Sequence, residues 1–192
     1  MILLRHGQSE FNLHFTATRR DPGIPDPKLT PLGMAQAEEA AEALANEGIR
    51  RIIASPYTRA IQTAMPIARR LGIPIHVTPT VRERYAFSCD IGSPRTQLAL
   101  AFPELDLRHL EEVWWPAVEE PDEQIEARAR LFRAEMAALT DWQDTLVVSH
   151  WGFILAMTGE RAVNGQILRC DPTAPPPEKI VWRLAHHTVV KP

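Results

Sequence analysis

Short apolar runs, each closed by a polar residue and followed by a stretch of helical periodicity, recur along this chain. That alternation constrains the fold more than any other feature. Ile2 to Leu4 is a continuous apolar run ending at Arg5-His6-Gly7. Arg51 to Ala54, Ile75 to Val77 and Thr145 to Ser149 repeat the pattern, and Gln166 to Cys170 and Lys179 to Leu184 read as two further strands split by Pro175-Pro176-Pro177. Unbroken apolar runs of this length mark strands buried on both faces, as in a parallel sheet.

The intervening segments carry helix signals. Thr30-Pro31 reads as an N-cap followed by proline at the first helical position, with Leu32, Ala37, Ala40, Ala41 and Leu44 as the apolar face and Gly48 as the stop. Ser55-Pro56 repeats the cap signal. Tyr57, Ala60, Ile61, Ala64, Ala68 and Leu71 then share a face up to Gly72, with Pro66 expected to kink the helix. Pro121-Asp122 opens a long helix through Ile125, Ala129, Phe132, Met136 and Leu139, and a short one follows His150 and ends near Gly159. Residues 21–28 read as a loop, and 78–121 as irregular and proline-rich. The whole predicts an α/β three-layer α/β/α sandwich with a mostly parallel central sheet, as one domain over 1–192 with a variable pocket segment at about 86–120.

Composition narrows the function classes. A net charge of -3 leaves no basic surface for nucleic acid and no polybasic membrane patch, so the expected partner is a small molecule or a protein. Cys89 and Cys170 stand far apart in no metal-like spacing, which fits reduced thiols in a cytoplasmic protein. No apolar stretch approaches a membrane span, so no membrane association is expected. His14, His76 and His109 read as surface or packing residues. His186-His187 would point to opposite faces of a strand and so does not suggest a metal pair.

In open parallel sheets, ligands bind outside the carboxyl ends of the strands. That rule selects Arg5 and His6 after the first strand, Arg59 in the helix after the second, and His150 after the Thr-Leu-Val-Val-Ser strand. Two guanidinium forks and a helix N-terminus suit a phosphoryl group, and an imidazole with one bare nitrogen is a competent nucleophile.

At these residues the sequence resembles the histidine phosphatase superfamily, in its phosphoglycerate-mutase-like branch. The resemblance rests on four blocks in order: Arg5-His6-Gly7-Gln8-Ser9-Glu10-Phe11-Asn12, Leu29-Thr30-Pro31-Leu32-Gly33, Ser55-Pro56-Tyr57-Thr58-Arg59-Ala60 and Val147-Val148-Ser149-His150. It implies that His6 becomes phosphohistidine and that Arg5, Arg59 and His150 hold the phosphoryl oxygens. It also implies that Asn12 adds a phosphate contact, that Glu83 is the proton donor, and that no metal or cofactor is needed. Asp90 is the second candidate for the donor. The sequence departs from the pattern at His150-Trp151-Gly152, where the family more often has glycine directly after the histidine, and Trp151 is expected to roof the pocket. The leading expectation is a metal-independent phosphatase acting on a small phosphomonoester. The alternatives are a phosphoglycerate mutase and a catalytically inactive phosphate-binding module. Glu104, Asp106, Glu111, Glu112, Glu119 and Glu120 weigh against binding of a bisphosphate and so against the mutase. A homodimer is an option the sequence leaves open, and Trp114-Trp115 serve either as a lid or as a cap on the core.

Overall fold

The structure, a computed structural model, describes residues 1–182. Its centre is a five-stranded sheet in which β1 (Ile2–Arg5), β2 (Arg51–Ala54), β3 (Ile75–Val77), β4 (Thr145–Ser149) and β5 (Ile167–Arg169) run in the order β3-β2-β4-β1-β5. The first four are mutually parallel, and β5 is antiparallel to β1. Alternate strand residues go to opposite faces. Ile2, Leu4, Ile52, Ala54, Leu146 and Val148 therefore join one core layer, beneath α2 (Pro31–Ala43) and α3 (Thr58–Leu71). Leu3, Ile53 and Val147 join the other, beneath α5 (Asp122–Ala137) and α6 (Trp151–Thr158). The three-layer sandwich and its mostly parallel sheet are as the sequence implies, since every central strand must cover two faces. Among the described residues, no helix is long and apolar enough to cross a membrane.

Local signals set the ends of most elements. Thr30 caps α2 by accepting the Gly33 N–H, with Pro31 at the first helical position. Gly72 and Gly159 close α3 and α6 in the left-handed conformation, at φ 67° and 76°, where a side chain would be strained. α3 runs through Pro66 without interruption.

Several expectations change. Ser55 is not the N-cap of α3. That position falls to Tyr57, and the exposed N–H of Thr58 is met instead by Asp26 Oδ1 at 2.8 Å, a carboxylate brought from a distant loop. Leu32 lies half exposed rather than in the core, and α2 ends at Ala43, short of Gly48. Residues 10–18 form α1 (Glu10–Thr18), which the apolar pattern does not reveal. Within 78–121 an additional helix, α4 (Arg95–Ala101), buries Leu98. Residues 179–182 form no strand, and the rest of that expected element, like His186-His187, lies outside the described residues. Trp114 is a core residue: its ring meets Tyr57 edge-on at 4.7 Å and its indole N–H donates to the Ser93 carbonyl.

Candidate active site

Parallel registration brings the ends of β1, β2 and β4 to one rim, with Arg5 opposite Ser149 and Ala54 opposite Val148. The next residues, His6, Ser55 and His150, therefore meet. Their approach needs two glycines. A Cβ on Gly7 would stand 2.3 Å from the Gly33 carbonyl oxygen, and one on Gly33 would stand 2.0 Å from that of Gln8. The Arg-His-Gly turn and the start of α2 are thus in backbone contact, reinforced by the Thr30 N–H donating to the Gln8 carbonyl.

His6 is 3% exposed, and its Nδ1 lies 2.7 Å from the Gly7 carbonyl. A carbonyl can only accept, so Nδ1 carries the hydrogen and Nε2 keeps its lone pair. Burial, then Arg59 and Arg5, hold the imidazole pKa well below its usual value, which keeps Nε2 bare. The His150 ring is fully buried, 5.0 Å from the His6 ring between centroids. Its Nε2 lies 2.7 Å from Ser55 Oγ, whereas its Nδ1 is buried without a partner among the described residues. Burial, followed by Arg59 and His6, lowers its pKa in the same way. A neutral His150 with Nε2 accepting from the Ser55 hydroxyl carries its hydrogen on Nδ1, a donor ready for an anionic oxygen.

Arg59 is 2% exposed. It stacks over Tyr57 at 4.4 Å, donates to the Cys89 carbonyl at 2.8 Å and pairs with Asp90 at 3.3 Å. Asp90 also accepts the Ala86 and Phe87 N–H groups. Burial raises its pKa to about 6 against the opposing pull of Arg59. Both its oxygens are occupied, and its visible task is to anchor Arg59 and the 86–90 turn. Arg5 donates to the Ala162 carbonyl, its Nε is buried without a partner among the described residues, and burial lowers its pKa to about 10.

Glu83 is partly buried, near enough to Arg5 to act on its charge. Its Oε1 accepts the N–H groups of Arg84 and Gly152, each at 2.8 Å. Asn12 Oδ1 accepts from the Ser9 N–H, the Ser9 hydroxyl and Asn164 Nδ2, which fixes the amide with Nδ2 turned away from those donors. Trp151 packs edge-on against Trp182 at 6.3 Å, and Trp182 carries Arg84 over its ring at 5.9 Å.

Sequence reasoning missed three members of this site. Ser55 reads as a helix cap, yet it orients His150. Asn164 donates to the His6 carbonyl as well as to Asn12, but its Asn164-Gly165 sequence signals only a turn. Thr63 accepts the Gly7 N–H and looks like an ordinary helix residue. In each case the partner is distant in sequence.

A buried imidazole pair flanked by two guanidiniums, with a carboxylate acting on one of them, suits the chemistry of phosphoryl transfer. The chain belongs to the histidine phosphatase superfamily (branch 1), whose family description matches residues 1–167. It is 29% identical over 167 residues to a glucosyl-3-phosphoglycerate phosphatase of Mycolicibacterium vanbaalenii, covering 82% of this chain and 72% of that protein. A solved mycobacterial glucosyl-3-phosphoglycerate phosphatase in complex with VO3 superposes with a TM-score of 0.56 at 29% identity, over 82% of this chain and 78% of that one. A Proteus mirabilis protein named "Probable phosphoglycerate mutase GpmB" is 38% identical over 83 residues, 43% of this chain and 37% of that protein.

Proposed function

We propose that this protein is a phosphatase that hydrolyses a small phosphomonoester through a phosphohistidine on His6, without a metal ion. The observation that carries the reading is the bond between His6 Nδ1 and the Gly7 carbonyl, which leaves Nε2 unprotonated inside a cationic pocket. Nε2 attacks phosphorus in line, and the N–P bond forms as the ester P–O bond breaks. Arg5, Arg59, His150 through Nδ1–H, and Asn12 through Nδ2–H receive the phosphoryl oxygens, whose charge spreads in the transition state. Glu83 gives its proton to the leaving oxygen. As a carboxylate it then takes a proton from the water that attacks phosphohistidine, releasing phosphate and restoring His6. Trp151 and the 86–120 segment shape the space for the leaving group. The two core layers on one sheet support treating the chain as a single domain.

The mutase reading has less support, since the mutase-named relative matches under half of this chain. Glucosyl-3-phosphoglycerate, named in the relatives, is the natural ester to try first. The test is hydrolysis of p-nitrophenyl phosphate in EDTA by wild type, His6→Ala and Glu83→Ala. Activity in wild type with none in His6→Ala supports the reading. Silence of wild type here and on a panel of natural phosphate esters would sink it.

A further inference from the structure

We infer that Gly152 is a positioning residue for the proton donor, acting as the seat for the Glu83 carboxylate at the start of α6. This rests on the reading of Glu83 as donor and assigns what holds it. A Cβ at residue 152 would stand 2.3 Å from Glu83 Oε1, closer than packed atoms approach, and 3.4 Å from the Glu83 carboxyl carbon and from Arg84 Cβ. The Gly152 N–H donates to that same Oε1 at 2.8 Å and reaches Oε2 at 3.2 Å. The carboxylate lies in the first turn of α6, where the helix presents free N–H groups and partial positive charge. Only glycine supplies the N–H without the obstructing methyl.

The contacts also divide the work of the two oxygens. Oε1 takes the two 2.8 Å bonds, from Arg84 and Gly152. Oε2 keeps only the longer contact and carries the proton that passes to the leaving oxygen. The surroundings hold Glu83 in place from the other side. Arg128 donates to the Thr80 and Arg82 carbonyls, and Arg82 donates to the Glu83 carbonyl, with Glu120 bridging the two guanidiniums. With the main chain at residue 83 so tied, the side chain's freedom is confined to its own torsions, and a methyl at 152 turns it out of its place.

The experiment compares Gly152→Ala, Glu83→Ala and the double variant on two esters, β-glycerophosphate and p-nitrophenyl phosphate, with thermal melts of all three. An alkoxide leaving group needs the acid, whereas p-nitrophenolate leaves without it. Gly152→Ala is expected to lower kcat on β-glycerophosphate by about 10²-fold, within the range for general acid catalysis. The loss in the single-turnover release of p-nitrophenol, which precedes hydrolysis of the phosphohistidine, should be much smaller, and KM near that of wild type. The double variant should be no slower than Glu83→Ala alone. Equal losses on both esters in the first turnover, or losses that multiply in the double variant, would overturn the inference. If Glu83→Ala itself loses equally on both esters in the first turnover, Glu83 is not the donor and the mechanistic reading fails. The inference then falls with it, whereas Gly152→Ala at wild-type rates beside a selective loss in Glu83→Ala overturns the inference alone.

Discussion

Ser55→Ala removes a single oxygen and isolates what orients the His150 ring. Ser55 is fully buried, and its Oγ lies 2.7 Å from His150 Nε2 and 3.4 Å from the Tyr57 nitrogen. Alanine fills nearly the same space, so the change is chemical rather than steric. The ring nitrogen left without a partner costs about 1–3 kcal/mol of stability. For a chain of this size each kcal/mol lowers Tm by roughly 2–4 °C, so a fall between about 2 and 12 °C is expected. Catalysis should suffer separately. With Nε2 no longer bonded, nothing selects the tautomer that places hydrogen on Nδ1, and the loss of one aimed donor to a phosphoryl oxygen costs about 10²–10³-fold in kcat. Thermal melts and p-nitrophenyl phosphate kinetics read the two effects. Inorganic phosphate as a competitive inhibitor reports the anion pocket, and its affinity should fall as well. An unchanged melt together with unchanged kcat would refute the assignment of Ser55 as the group that sets His150.

Other outcomes follow from the same geometry. The acid limb of kcat/KM should lie below pH 6.5, because burial and the neighbouring arginines hold His6 well below its usual pKa. Arg59→Met should move that limb upward, as read from a pH–rate profile. Stability should fall as pH drops below 6.5, since the unfolded chain takes up protons there that the buried His6 and His150 do not. Asp90, raised to about 6, acts in the opposite sense as pH falls through about 6 toward its unfolded value near 3.8, and offsets the two histidines only in part. Asp90→Ala should cost about 3–5 kcal/mol by stranding buried Arg59, seen as a lowered midpoint in urea unfolding. Asn164→Ala should weaken inhibition by phosphate modestly, because it leaves only the two Ser9 contacts to fix the Asn12 amide, and unaltered inhibition would argue against that role.

The sheet was legible because each strand is a short run that must be apolar on both sides, and the observed limits of β2, β3 and β4 coincide with those runs. The rim residues were legible for the same reason, since strand ends point to them. α1 was not. Its single buried residue, Phe11, leaves no periodic signal, and Ser9 and Asn12 form its capping box with a pair the usual signature does not contain. The cap of α3 was misread because the carboxylate that satisfies Thr58 comes from Asp26, 32 residues away. The anchoring of Arg59 by Asp90, and of Glu83 by Gly152, likewise depends on segments that meet only in the folded chain. Sequence pattern indicates which residues face a site, but not which neighbours hold them there.

The central claim is that phosphorus passes through a bond to His6. Rapid acid-free quenching of the enzyme with substrate, followed by mass spectrometry of the N-terminal peptide, tests it most directly. The account predicts a phosphoryl group on His6 that survives alkali, is lost in acid, and is absent from His6→Ala. A turning-over enzyme with no such adduct at any quench time, and with a His6→Ala variant that still hydrolyses substrate at the wild-type rate, would contradict it.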